Sequence, residues 1–79
     1  MRFNNRVEVN PKVMVGKPVI RGTRIPVELL LRKLSEGASE SDLLEAYPNL
    51  VLDDIRAALA YAADAVSQEE SFSATIPEV

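Results

Sequence analysis

Lys17, Arg21 and Arg24 stand within a span of eight residues around Gly22. Cations at this spacing suit a phosphate backbone. Lysine and arginine neutralise its charge, and glycine lets the chain approach closely without steric cost. Arg32 and Lys33 extend the basic run, and Arg56 is the only cation beyond residue 33. These six are the candidate nucleic-acid-binding residues. A structural role competes at each. Arg24 lies between Gly22 and Pro26, where a planar guanidinium suits loop carbonyls or a helix C-terminus, and that role is the one expected for it. For Lys17 and Arg21 both roles stay open.

Other chemistry is poorly supplied. The chain has no histidine and no cysteine. The usual neutral-pH base, the thiolate nucleophile and the two best zinc ligands are therefore missing. Serines and threonines are present, but no histidine is there to activate them. Asp53-Asp54 is the nearest approach to a metal-binding pair. Adjacent helical residues point in different directions, so the pair reads instead as negative charge in the first turn of a helix. The expectation is a binding protein, not an enzyme, with no metal and no cofactor.

Charge is distributed unevenly. Residues 1–33 carry eight cations against Glu8 and Glu28, a net +6, whereas residues 34–79 carry Arg56 against ten carboxylates, a net -9. Such asymmetry points to an interaction surface, or to mutual attraction of the two ends within a dimer. At 79 residues a single small domain is expected, with only a few kcal/mol of net stability from its core. With no disulfide available, oligomerisation or a bound partner is the remaining source of stability. No signal-like apolar run follows the charged start, and the lack of cysteine fits a cytoplasmic setting.

The elements that hold these residues can be read from periodicity. Val7-Glu8-Val9-Asn10 alternates as a short strand does, and Asn10-Pro11 marks a turn. Val13-Met14-Val15 is apolar and punctuated by Gly16, and Val19-Ile20 forms a second short β-like patch, so residues 7–24 read as a small, irregular β arm. A first helix is expected over about 26–36, opening on Pro26 and closing on Gly37, with Val27, Leu30, Leu31 and Leu34 as its apolar stripe. A second, about 40–47, is capped by Ser39 with Asp42 three residues on, buries Leu43, Leu44 and Tyr47, and stops at Pro48. A third, about 52–66, carries Leu52, Ile55, Leu59, Ala62 and Val66 as its stripe. Residues 1–66 then form the domain and 67–79 an acidic tail.

The stretch from Asn10 to Val27, NPKVMVGKPVIRGTRIPV, resembles the domain of unknown function 433, a family whose members look like bacterial antitoxins. Leu44-Glu45-Ala46-Tyr47-Pro48 and the run from Asp54 to Ala62 resemble it too. The likeness covers roughly residues 5–66, and its most specific part is Gly16-Lys17-Pro18 followed by Gly22-Thr23-Arg24 and Pro26. The resemblance implies a mainly α fold: a three-helix, homeodomain-like or winged-helix-like bundle containing a helix-turn-helix, preceded by a short β-hairpin. It also implies a non-enzymatic protein that binds and blocks a PIN-like ribonuclease toxin, with promoter DNA as a further expected partner. One departure stands out. Family members often carry Thr or Ser as a cap before the third helix, where this chain has Val51. Such a loss costs about 1 kcal/mol. Asn49, or the dipole effect of the two aspartates, is expected to compensate.

The competing uses of each element are weighed on charge. Helices two and three, joined by the short turn at Pro48–Val51, resemble a helix-turn-helix, whose second helix enters the major groove. Its outward face is expected to show Asp53, Arg56, Ala57, Ala60, Tyr61 and Asp64. One cation against two carboxylates makes a poor partner for phosphate. The third helix therefore reads as a packing and dimerisation element, through Leu59, Tyr61, Ala62 and Val66, and DNA contact passes to the basic arm. The tail offers Phe72 and Ile76 as apolar anchors and Glu69 and Glu70 as charges for a basic nuclease surface, as the partner-binding residues. A stand-alone DNA-binding regulator and a purely structural dimeric scaffold are the alternatives.

Overall fold

A computed structural model of the protein describes residues 5–12 and 16–67. Three strands come first: β1 (Val7–Val9), β2 (Pro18–Ile20) and β3 (Ile25–Pro26). Three helices follow: α1 (Val27–Ser35), α2 (Glu40–Ala46) and α3 (Leu52–Ser67). The strands form one antiparallel sheet in the order β1-β2-β3. Val7 lies opposite Ile20 and Val9 opposite Pro18, and on the other side of β2 Ile20 lies opposite Ile25. The expected two-stranded arm thus has a third strand. It is built from the two residues just before α1, too short to show alternation in sequence.

The turn between β2 and β3 explains its residue types. Thr23 Oγ1 donates to the Ile20 carbonyl at 2.8 Å and accepts from the Ile25 amide at 3.0 Å. Gly22 takes a φ of +84° and Arg24 one of +63°. Glycine does this freely, whereas for an arginine the left-handed region is strained.

Pro26 is the N-cap of α1, with φ of -66° and ψ of 139°, so the helix opens one residue later than Pro26 itself. The helix ends as Gly37 foretells. Gly37 has φ of +104°, its amide bonds to the Leu34 carbonyl at 3.1 Å, and the Ala38 amide bonds to the Lys33 carbonyl at 3.0 Å. These paired bonds satisfy the last carbonyls of the helix. Ser39 then caps α2 in a full capping box: its hydroxyl accepts from the Asp42 amide at 3.0 Å, and Asp42 Oδ2 accepts from the Ser39 amide at 2.9 Å. Tyr47 leaves helical geometry before Pro48, with φ of -124° and ψ of 91°.

The core draws on every layer. Ile20 of β2, Val27 and Leu30 of α1, Leu43 of α2, Leu50 of the link, and Ile55 and Ala58 of α3 form one buried cluster, with Leu31, Leu34, Leu44 and Tyr47 packed on it. Burying each large aliphatic side chain stabilises by about 1.5–3 kcal/mol. The α1 stripe is as periodicity places it. In α3 the buried face is rotated from the expected stripe. Asp54, Ile55, Ala57 and Ala58 are buried, while Leu59 is 43% and Val66 64% exposed. Periodicity favoured the larger side chains. The sheet and α1 leave room for alanines, so Ala57 and Ala58 face inward and Leu59 is displaced outward.

Candidate functional site

The N-terminus of α3 is the most tightly organised polar point in the described residues. Arg6 Nη1 donates to Asp54 Oδ1 at 3.0 Å. The other oxygen, Asp54 Oδ2, accepts from the Val51 amide at 3.1 Å. A second contact joins Arg6 to Asp53 at 3.6 Å, and that carboxylate is 66% exposed. Asp54 is buried. The carboxylate therefore supplies the acid's half of a capping box, reaching back to the Val51 amide, while the Asp54 amide, which a Ser or Thr at position 51 would have held through its side chain, bonds to the Val51 carbonyl at 2.9 Å. The carboxylate is also tied to the strand arm through Arg6. Asp53 and Asp54 both lie in the first turn of α3, as expected, one exposed and the other buried and paired, and the Val51 amide is held by Asp54 and not by Asn49. Sequence reasoning missed Arg6, which lies 48 residues away with nothing local to mark it. Among the described residues no group of three or more His, Cys, Asp or Glu side chains is placed to hold a metal ion.

The candidate basic residues do not form one continuous patch. Lys17 Nζ lies 3.6 Å from Glu28 Oε1, and Arg32 Nη2 donates to Glu28 Oε2 at 3.2 Å. Glu28 thus bridges two of the candidates. Its hydrogen bond from Arg32, then the charge of Lys17, hold its carboxyl below the ordinary glutamate pKa. Arg21 Nε donates to the Asn5 carbonyl at 2.8 Å and its amide to the Arg6 carbonyl at 2.8 Å, fixing the start of β1. Three of the six are thus engaged within the molecule. Arg24, Lys33 and Arg56 are exposed and make no hydrogen bond or ion pair through their side chains with the described residues. For Arg24 this corrects the expected structural role. With its backbone held at positive φ, the side chain is carried outward, away from the loop carbonyls.

The outward face of α3 also differs from expectation. Ala57 is buried and Tyr61 half-buried. The exposed members of the helix are Asp53, Arg56, Leu59, Ala60 and the run from Ala63 to Ser67, which includes Asp64 and Val66. The charge balance is unchanged, at one cation against two carboxylates.

Between α1 and α3 lies an open apolar groove lined by Pro18, Val27, Leu31, Tyr61, Ala62, Ala65 and Val66, with Glu28 at its edge. Its volume of about 230 Å³ is below the range of about 300–1,000 Å³ for small-molecule sites. It suits a side chain of a protein partner better than a metabolite. Tyr61, Ala62 and Val66, three of the four candidate dimerisation residues, line it, and the fourth, Leu59, is exposed on the same helix. The four candidate partner-binding residues, Glu69, Glu70, Phe72 and Ile76, lie outside the described residues. No helix among the described residues is long and apolar enough to cross a membrane.

A short antiparallel sheet backed by three helices, with a clamped N-terminus on the third, defines a small, mainly helical domain. The chain belongs to the family described as Protein of unknown function (DUF433), whose profile matches residues 7–62. It is similar to a crystal structure of a DUF433 member protein from Anabaena variabilis, with a TM-score of 0.75 and 38% identity, over 81% of this chain and 63% of that one. It is 41% identical over 56 residues to the uncharacterized protein y4eO of Sinorhizobium fredii, covering 71% of this chain. It is 67% identical over 27 residues to an uncharacterized protein of Archaeoglobus fulgidus, covering 34% of this chain and 75% of that relative. The match spans 25% of the length of the Sinorhizobium protein.

Proposed function

We propose that this protein is antitoxin-like, binding and neutralising a PIN-like ribonuclease. The observation that carries this reading is the charge split. Ten of the twelve carboxylates follow residue 33, and two of those ten, Asp53 and Asp64, are exposed on α3. A ribonuclease must present cations to RNA. An acidic segment with spaced apolar anchors competes for that surface through charge and burial together. Glu69 and Glu70 supply charge, and Phe72 and Ile76 the anchors. The PIN-like nature of the partner comes from the family resemblance. The protein acts by occupying the nuclease and not by turnover.

Co-expression with the product of the adjacent reading frame tests this. A small PIN-like protein is expected to co-purify with the chain, and to be lost with Phe72→Ala plus Ile76→Ala. Absence of such a neighbour, together with no co-purifying nuclease, contradicts the reading.

A second reading, a DNA-binding regulator, is favoured by the arrangement of α2, a five-residue link and α3. The outward acidity of α3 weighs against it. Its cations would be Arg24, Lys33 and Arg56, which have no intramolecular partner among the described residues. It requires retardation of the upstream DNA at low salt, weakened by Lys33→Ala with Arg56→Ala. No retardation removes it.

A further inference from the structure

The partner of the exposed apolar strip on α3 can be argued from the strip itself. Leu59 and Val66 are 43% and 64% exposed. Seven residues apart, they sit nearly in line along the helix, about 10.5 Å from one another. Between them lie Ala62, half-buried, and Ala63, exposed. Read in either direction the strip is one large side chain, two small ones and one large one. A two-fold contact needs a surface complementary to itself, and this order of sizes meets that need when two copies of α3 run antiparallel. The axis then falls between Ala62 and Ala63.

We propose that the occupant of this strip is a second copy of the chain, with Leu59 of each copy packed against Val66 of the other. Charge agrees with this occupant. Residues near a two-fold axis meet their own copies, so a charge there repels itself. Leu59, Ala62, Ala63 and Val66 are all uncharged, and Asp64, the one charged residue between Leu59 and Val66, stands about 100° round the helix from Ala63 and so off the strip. Alanines at the crossing allow the close end of the 8–10 Å range of helix separations. Ala62 and Val66 also line the α1/α3 groove, so a helix laid on the strip borders that groove and shields it. The contact is short of the 20–30 residues per side of a standard interface. The dimer is therefore weak, dissociating at micromolar concentrations.

Sedimentation equilibrium of the full chain alone, from about 1 to 300 µM, reads this directly. The wild type is expected to pass from monomer to dimer with a Kd of roughly 1–100 µM. Ala63→Glu, on an exposed position, is expected to give a monomer throughout with an unchanged circular-dichroism spectrum. Ala63→Lys is expected to do the same. Mixing the two variants is expected to restore a dimer, because opposite charges then meet across the axis. A wild type that stays monomeric to 300 µM overturns the proposal. So does a dimer that both variants leave intact, or two monomeric variants that do not associate when mixed. The measurement contains no nuclease, so its failure is distinct from failure of the antitoxin reading.

Discussion

Arg6 and Asp54 meet at 3.0 Å across 48 residues of sequence, and the second oxygen of the same carboxylate holds the Val51 amide at 3.1 Å. One buried side chain thus closes the first turn of α3 and fastens it to the strand arm. Breaking it strands the cap amide and releases the arm together. Asp54→Ala is expected to cost about 2–3 kcal/mol, as for hydrogen bonds involving a charged group. Asp53 is exposed and its contact is longer, so Asp53→Ala is expected to cost no more than about 0.5 kcal/mol. Urea denaturation of the two variants distinguishes them, and equal losses contradict the asymmetry.

Arg24 is strained where it stands, with φ of +63°, and its side chain has no partner among the described residues that would offset the strain. Arg24→Gly removes the left-handed penalty. It is expected to leave stability unchanged or raise it, by up to about 1 kcal/mol after glycine's greater chain entropy is counted. Thermal unfolding checks this. A clear loss of stability means that the guanidinium makes a contact the fold depends on.

Glu28 joins Lys17 and Arg32 and has its pKa lowered, first by the Arg32 hydrogen bond and then by Lys17. A depressed carboxylate stabilises the fold above its unfolded pKa, and that contribution is lost as pH falls through the folded one. The stability difference between wild type and Glu28→Gln is therefore expected to be present at neutral pH. It fades below about pH 4.3 and shrinks with added salt, since the group is exposed. A difference that grows on acidification contradicts the pairing.

Much of the fold was legible where local chemistry determines it. Gly37, Ser39 with Asp42, and Pro48 each set a helix boundary through backbone geometry or hydrogen bonds to near neighbours. The stripe of α1 was legible because its apolar residues are all large. In α3 the abundance of alanine blurred the pattern, and periodicity put Leu59 inward where Ala58 lies. The site was less legible, for the same reason the Arg6–Asp54 pair was missed: contacts between distant segments leave no local spacing to read. The basic arm looked like one surface in sequence. Folding sends Lys17 and Arg32 to Glu28 and Arg21 to Asn5, leaving Arg24, Lys33 and Arg56 outward.

The central claim is that the acidic C-terminal residues neutralise a PIN-like ribonuclease. RNA cleavage by a purified PIN-like ribonuclease, taken from the adjacent reading frame where one stands there, and titrated with the full chain, tests it most directly. Cleavage is expected to fall to background near one equivalent. Glu69→Lys with Glu70→Lys is expected to raise the half-inhibiting concentration at least tenfold, about 1.4 kcal/mol. Cleavage that proceeds at the uninhibited rate with the wild-type chain in excess contradicts the account.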